Sequence, residues 1–243
     1  MAVFALTDAQ IFAGAYDLRS RSNEVNVEQR IDELDATTFG SAGVKERKAG
    51  LRDVSITTKG LADPSITDSI FTALGSTSDL LISVSPTATA GDAIYSARGA
   101  MVANWSGEET LGELRAFSTT LSGRNPRGLT RQTIVRAHSA ATGAGTGTAY
   151  LIGATSSTQT LVSAIHLTAL SGSATPALTV TVESDSTSGF ASPTTIGSHT
   201  ALTAIGASWL ESAGPITDTY FRITWTLTGT APSATFIASI GIA

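Results

Sequence analysis

Between Glu24 and Leu34, apolar and polar side chains alternate. Val25, Val27 and Ile31 fall on one face of an extended chain, with Gln29 among them, while Glu24, Asn26, Glu28, Arg30 and Asp32 fall on the other. A pleated strand separates successive side chains in this way, and its apolar face then has to pack against something. Leu51–Lys59 repeats the pattern, with Val54 and Ile56 alternating with Asp53, Ser55 and Thr57. The two stretches read as antiparallel partners. Between them, Asp35–Gly50 reads as a long polar loop holding Phe39, Lys45, Glu46, Arg47 and Lys48, with glycine at 40, 43 and 50. Ordinary hairpin loops have about two to five residues, and a loop well beyond that length usually has a task.

The segments that follow are of the same kind. Asp79–Ser85, Ala93–Trp105, Glu113–Leu121 and Leu129–Ala137 read as strands. One helix is expected over about 64–75: Asp63 caps it, Pro64 opens it, Ile66, Ile70, Phe71 and Leu74 keep helical spacing, and Gly75 stops it. Further on, Leu161–Leu170, Ala177–Glu183, Thr219–Leu227 and Ala234–Ile240 read as strands. Ser171-Gly172-Ser173, Asp185–Gly189 and Thr228-Gly229-Thr230 are the turns between them.

Charge divides the chain. Of the 15 Lys and Arg residues, only Arg222 lies beyond Arg136. Of the 20 acidic residues, four lie beyond it. A run of small residues from His138 to Thr148 marks the change and reads as a linker. The expected organisation is mainly β: a first β-barrel or sandwich domain over 1–137 with the one short helix, a Gly/Ala/Thr-rich linker over 138–148, and a β-sandwich domain over 149–243.

Composition narrows the function. Charged residues make up 14% of the chain, against the quarter or so usual in soluble domains, and with the abundant Thr and Ser this suits a β-rich protein with much of its surface in contact with something. The net charge of −5 argues against tight nucleic-acid binding, which needs a basic surface. Cysteine is absent. No window approaches the roughly 18 apolar residues of a membrane-spanning helix. Met1–Asp8 has no basic stretch followed by an apolar core, so synthesis and assembly in a cytoplasm are expected.

Catalytic constellations are not found in the sequence. His138, His166 and His199 lack metal-ligand spacing, and His166 reads as a satisfied strand residue. No nucleophile elbow surrounds any serine. Gly143–Gly147 superficially resembles a phosphate loop, but a Thr/Ala/Tyr strand follows it where a helix would have to open. Asp32, Glu33 and Asp35 point to different faces of a strand end. Glu183–Gly189 offers oxygen ligands, but without the acidic spacing of a calcium loop, so it reads as a plain turn. The reading is of a chain without catalytic residues, cofactor or metal.

Glu24–Glu28, Leu34-Asp35-Ala36-Thr37-Thr38-Phe39-Gly40, Ala49–Ile56 and Gly60-Leu61 together resemble the N-terminal core of the siphophage tail tube (major tail) proteins. In that family a strand ends in a D-x-T-T-F-G-like turn, a polar loop follows, and a G-L-x-D strand returns. Asp63–Gly75, Gly112-Glu113-Leu114, Gly123 and Gly128–Arg131 sit where that family's helix and last strands fall. The resemblance covers about 1–137. More weakly, Ile216–Ile223 and Phe236–Gly241 resemble the outer C-terminal β domain that many members carry.

The resemblance implies a structural virion protein of a long-tailed bacteriophage: subunits in hexameric rings, stacked into a hollow tube that conducts the genome. The implied partners are further copies of the chain, the tape measure protein, the tail terminator and the distal tail proteins, with DNA passing through without tight binding and no membrane contact. Glu24, Asn26, Glu28, Arg30, Asp32 and Asp53 would line the lumen, whose acidic character repels phosphate. Phe39, Lys45, Glu46, Arg47 and Lys48 would reach the neighbouring ring. The competing expectations are another virion structural part, such as a decoration or tail completion protein, and a carbohydrate-binding sandwich in 149–243 with Trp209 as its exposed platform.

Overall fold

The computed structural model describes residues 9–63, 69–74, 80–108, 111–123 and 128–243. In chain order its strands are β1 (Gln10–Ala13), β2 (Tyr16–Asp17), β3 (Ser22–Asp35), β4 (Arg47–Leu61), β5 (Leu80–Ser85), β6 (Ala93–Glu108), β7 (Ala116–Gly123), β8 (Thr130–Ala141), β9 (Gly145–Thr146), β10 (Tyr150–Leu151), β11 (Thr160–Asp185), β12 (Thr194–Ser198), β13 (Gly206–Ala213) and β14 (Tyr220–Ile242). The chain is mainly β, as the alternation implies. Residues 69–72 are helical, with the Ala73 amide donating to the Ser69 carbonyl at 3.1 Å. The remainder of the expected helix, including Pro64 and Gly75, lies outside the described residues.

The chain forms two compact units. A sandwich unit comprises Met1–Ser20, Leu80–Ser96 and Thr130–Ala243, and a hairpin unit comprises Arg21–Asp79 and Ala97–Leu129. This division differs from the one expected at 137 and 149. β8 runs through that boundary and pairs with β14, from Gly241↔Gln132 to Ala234↔Ala141. The charge step in the sequence does not mark it, because ladder hydrogen bonds join backbones whatever the side-chain charge.

The sandwich unit is built on one ribbon. β11 and β14 stay paired from Leu161↔Ile242 to Asp185↔Tyr220. Midway the ribbon folds over. Gly172 (φ 129°), Ala174 (56°), Thr175 (54°), Gly229 (104°) and Ala231 (48°) all have positive φ there, and the register shifts between Ser171 and Ala177. The first half of β11 is flanked by β13 and the second half of β14, which pairs onward with β8. The second half of β11 is flanked by β12 and the first half of β14, which takes β9 and β10 on its other edge. Leu161, Ile165, Leu167, Phe236 and Ile240 from one layer and Leu178, Val180, Val182, Phe221 and Ile223 from the other share one core. Phe12, Ile94, Ile134 and Ile237 form a second, smaller core in this unit.

The Gly-rich segment expected as a linker is held in place. β9 pairs with Thr224 and Trp225, and the Trp225 indole N–H donates to the Gly143 carbonyl at 3.0 Å. A Cβ at Gly145 would come within 2.3 Å of the Trp225 ring. The run is small here because an indole lies over it.

In the hairpin unit the strand order is β3-β4-β7-β6, antiparallel throughout. Register separates two faces. Val54, Ile56, Phe117, Leu121 and Val102 are buried on one, together with Thr58 and Thr119. These two buried hydroxyls are satisfied: Thr58 Oγ1 donates to Ser22 Oγ (2.8 Å), and Thr119 Oγ1 to the Asn104 carbonyl (2.9 Å).

Candidate assembly surface

The other face of the hairpin unit is polar across all four strands. Glu24 stands opposite Lys59, Asn26 opposite Thr57, Glu28 opposite Ser55 and Arg30 opposite Asp53. β7 continues these rows with Ser118, Thr120 and Ser122, and β6 with Ser106, Asn104 and, opposite Ser122, the one apolar residue, Met101. Glu24, Asn26, Glu28, Arg30 and Asp53 therefore share a face, as the alternation requires. Asp32 falls at a bulge between Ile31 and Glu33, where the register shifts.

The acids on this face are compensated. Lys59 Nζ donates to both Glu24 oxygens, at 2.9 and 3.2 Å, and Arg30 Nε to Glu28 Oε1 at 2.6 Å. Lys59 was absent from the sequence-derived set, although continuing the Asp53-Ser55-Thr57 alternation by one step reaches it. A recess of about 280 Å³ opens beside the Glu24–Lys59 pair, lined also by Asn23, Ser106, Phe117 and Ser118. Its two ions satisfy each other.

Past Gln29 and Val54 the sheet narrows to two strands. β7 pairs with β4 only from Ser55 onward, whereas β3 and β4 continue to Asp35↔Arg47. The expected loop over 35–50 is therefore shorter than the sequence implied: Arg47 and Lys48 belong to β4, and 36–46 make the connection. The bulge hides the strand continuation, since it breaks the alternation there.

The connection itself is built. Phe39–Ser41 is a 3-10 turn, and Asp35 Oδ1 accepts from the Thr37 amide at 2.9 Å. The Glu46 amide donates to Thr37 Oγ1 (3.0 Å), and the Ala36 amide to the Glu46 carbonyl (3.0 Å). The Thr37 hydrogen bonds hold the Asp35 carboxyl below its usual range. Lys45 pairs with Asp35 at 3.4 Å, and Arg47 pairs with Glu33. The apolar side chains of this arm are uncovered: Leu51 is 79% exposed, Val44 67%, Leu34 55% and Ile31 44%, with Phe39 fully exposed at the tip.

In the sandwich unit, the features considered for chemistry have structural partners. Two histidines are buried and neutral, their pKa values pushed down to about 4 by burial. His166 bonds Gly14 O (2.7 Å) and Ser83 Oγ (2.8 Å), and His199 bonds Ser208 (2.9 Å) and Ser163 (3.1 Å). His138 Nε2 lies 2.8 Å from Thr168 Oγ1. Asp185 spends its oxygens on its own turn, accepting from the Thr187 amide (2.9 Å) and the Ser192 amide (3.0 Å). Trp209 donates to Glu211 at 2.8 Å and is partly buried, and Trp225 packs edge-on to Phe236 at 5.7 Å.

A two-layer β-sandwich unit, and a four-stranded antiparallel unit that carries a bare two-stranded arm, define the class: a mainly β protein. No protein-family model matches the sequence, and no curated protein matches it. Among solved structures, the chain is similar to a protein of the virion of a native gene transfer agent particle, at 15% identity and a TM-score of 0.39, over 51% of this chain and 95% of that one. It is similar to the Dit protein of phage SPP1 at 12% identity and a TM-score of 0.38, over 97% of this chain and 99% of that one. It is also similar to the tube-terminating cap of an anti-feeding prophage at 13% identity and a TM-score of 0.41, over 55% and 95%.

Proposed function

We propose that this chain is a non-enzymatic structural subunit of a bacteriophage tail, and specifically the tail tube subunit. Copies form rings, and rings stack into a hollow tube in the virion that conducts the genome. The observation that carries the reading is the β3–β4 arm. A two-stranded ribbon is marginal by itself in water, and this one adds exposed Ile31, Leu34, Val44, Leu51 and Phe39. Such a ribbon gains its stability from a partner. β3 pairs with β4 alone among the described strands, so its outer edge is open to a strand from another subunit, and joining it would remove an aggregation-prone edge.

The polar face suits a channel wall. Hydroxyls, amides and paired charges are readily hydrated, and three carboxylates against two cations leave no basic surface to hold phosphates. The tape measure protein, tail terminator and distal tail proteins are the proposed partners. Negative-stain imaging and sedimentation of the purified chain test the reading. Rings or tubes with a central channel are expected. A monomer at every concentration and salt, which no tail partner recruits, overturns it.

A further inference from the structure

The β1–β2 hairpin is a thinly held part of the sandwich unit, and two histidines hold it. β1 lies on β5 over four residue pairs, from Gln10↔Ser85 to Ala13↔Ile82, and its other edge meets β2 over only two. Phe12, fully buried, packs against two imidazole rings: His166 of β11 stacks on it at 5.3 Å, and His138 of β8 lies at 5.1 Å. The same histidines reach the hairpin itself. His166 donates to the Gly14 carbonyl at its turn (2.7 Å), and His138 Nδ1 stands 3.7 Å from the Asp17 carboxylate at its end. Gln10, at its start, is fully buried, yet neither Oε1 nor Nε2 of its carboxamide has a hydrogen-bond partner. A buried amide left without partners destabilises the segment that carries it, and water relieves the penalty once that segment lifts.

We infer that β1–β2 is an acid-released latch: it lifts off the sandwich unit as a local step when His166 and His138 take up protons, while the β11–β14 ribbon stays paired. An imidazolium needs hydration, and with the hairpin in place His166 is cut off from water. Lifting the hairpin takes Phe12 and Gly14 away from the ring. Burial holds both histidines below their ordinary pKa, His166 at about 4, so the lifted state binds protons more readily and is favoured as the pH falls below 6.5. The charged and titratable groups around His166 are His138, with Arg136 on the same strand, and Asp17 with Arg19 just beyond β2. β1 and β5 bring none, and β13 and β14 meet it with Ala207 and Ile237. Asp17 alone among these opposes release, because it draws a proton to His138 in the closed state, and its pairing with Arg19 weakens that pull. The latch uncovers the edge of β5 and the small core of Ile94, Ile134 and Ile237.

Native-state hydrogen exchange on the purified chain tests it. The reporters are the β1–β5 ladder amides and the Gly14 amide, which donates to the Leu81 carbonyl at 2.8 Å. They are expected to exchange through an opening that low urea does not accelerate, because a local step exposes little surface. Corrected for intrinsic rates, their protection is expected to fall about 50-fold from pH 7 to pH 4.5, the ratio given by a His166 pKa of about 4 closed and 6.5 open. Amides of the β11–β14 ribbon are expected to stay more protected and to exchange through urea-sensitive unfolding. His166→Gln, whose amide can make both hydrogen bonds without titrating, is expected to lose most of the acid response at the reporters. The latch is overturned if the reporters exchange only together with the ribbon, at the same protection and urea dependence, a result that needs no variant to fold. It is equally overturned if the local opening is the same at pH 7 and pH 4.5, or if folded His166→Gln keeps the full acid response.

Discussion

His166 Nδ1 lies 2.7 Å from the carbonyl oxygen of Gly14, a residue 152 positions earlier in the chain. A carbonyl only accepts, so Nδ1 carries the proton and Nε2 accepts from Ser83 Oγ, itself 2.7 Å from Ser96 Oγ. The neutral ring is built into a buried hydroxyl chain, stacked on Phe12 at 5.3 Å. The nearest titratable groups are His138, itself against Phe12, and Asp17 beside it.

This arrangement makes the sandwich unit acid-sensitive. Burial lowers the His166 and His199 pKa values to about 4, from 6.5 in the unfolded chain. Between those values the unfolded chain binds more protons, so stability is full above pH 6.5 and falls as the pH drops toward 4. The loss is up to about 3 kcal/mol per histidine. Urea midpoints measured from pH 7 to 4.5 check it. His166→Gln is expected to lower the midpoint at pH 7 and flatten its acid slope, and an unchanged slope would assign the sensitivity elsewhere.

Substitution at Gly145 tests whether the small-residue run is packed or merely flexible. Gly145→Val would drive two methyl groups into the Trp225 indole, at a cost of about 1–3 kcal/mol. Thermal melting and the Trp fluorescence maximum report it. Gly143→Ala, with nothing within 4 Å of a Cβ there, is the control and is expected to be near neutral.

Phe236 is fully buried between the layers, edge-on to Trp225 and 3.8 Å beneath the Arg136 guanidinium. Phe236→Ala is expected to cost about 3–5 kcal/mol. Because the Arg136 guanidinium lies over the Phe236 ring, the loss in Arg136→Met is expected to be non-additive with it in a double-mutant cycle. Chemical denaturation of the four proteins checks this.

Removing the arm separates folding from assembly. Ile31 faces Arg52 across the hairpin, so an Asn-Gly turn between them replaces 32–51 with the body register kept. The shortened chain is expected to melt within a few degrees of the full one and to form no long tubes in negative stain.

Reversing the polar face tests its proposed place in the channel. Glu24, Glu28 and Asp53 changed together to Lys leave Lys59 and Arg30 without partners and make the face strongly basic. Salt-sensitive DNA binding is expected by fluorescence anisotropy, with slowed genome ejection from particles carrying the variant. Unaltered ejection would place this face away from the path.

Alternation is a local signal, and wherever it runs unbroken the strands were legible: Glu24–Leu34 lies within β3 and Leu51–Lys59 within β4. Opposite the bulge at Ile31/Glu33 it fails on the returning strand, and there Arg47–Gly50 read as loop. Ser171-Gly172-Ser173 and Thr228-Gly229-Thr230 read as turns ending strands, yet β11 and β14 pass through them still paired. Two facing distortions fold a ribbon, and no local pattern says that these two face each other. The polar face was legible residue by residue, but its charge balance was not, because Lys59 meets Glu24 across 35 positions.

β14 is the last strand in chain order and pairs with β8, β9, β10 and β11, so it belongs to both layers of the sandwich. On the ribosome, β8 and β11 emerge before it and wait with open edges that, among the described strands, β14 closes. The sandwich unit therefore has a late, non-local folding step, of the slow kind that high contact order brings. The waiting edges are where a holding chaperone would act, and where crowded nascent chains would pair with each other instead of with their own C-terminal strand.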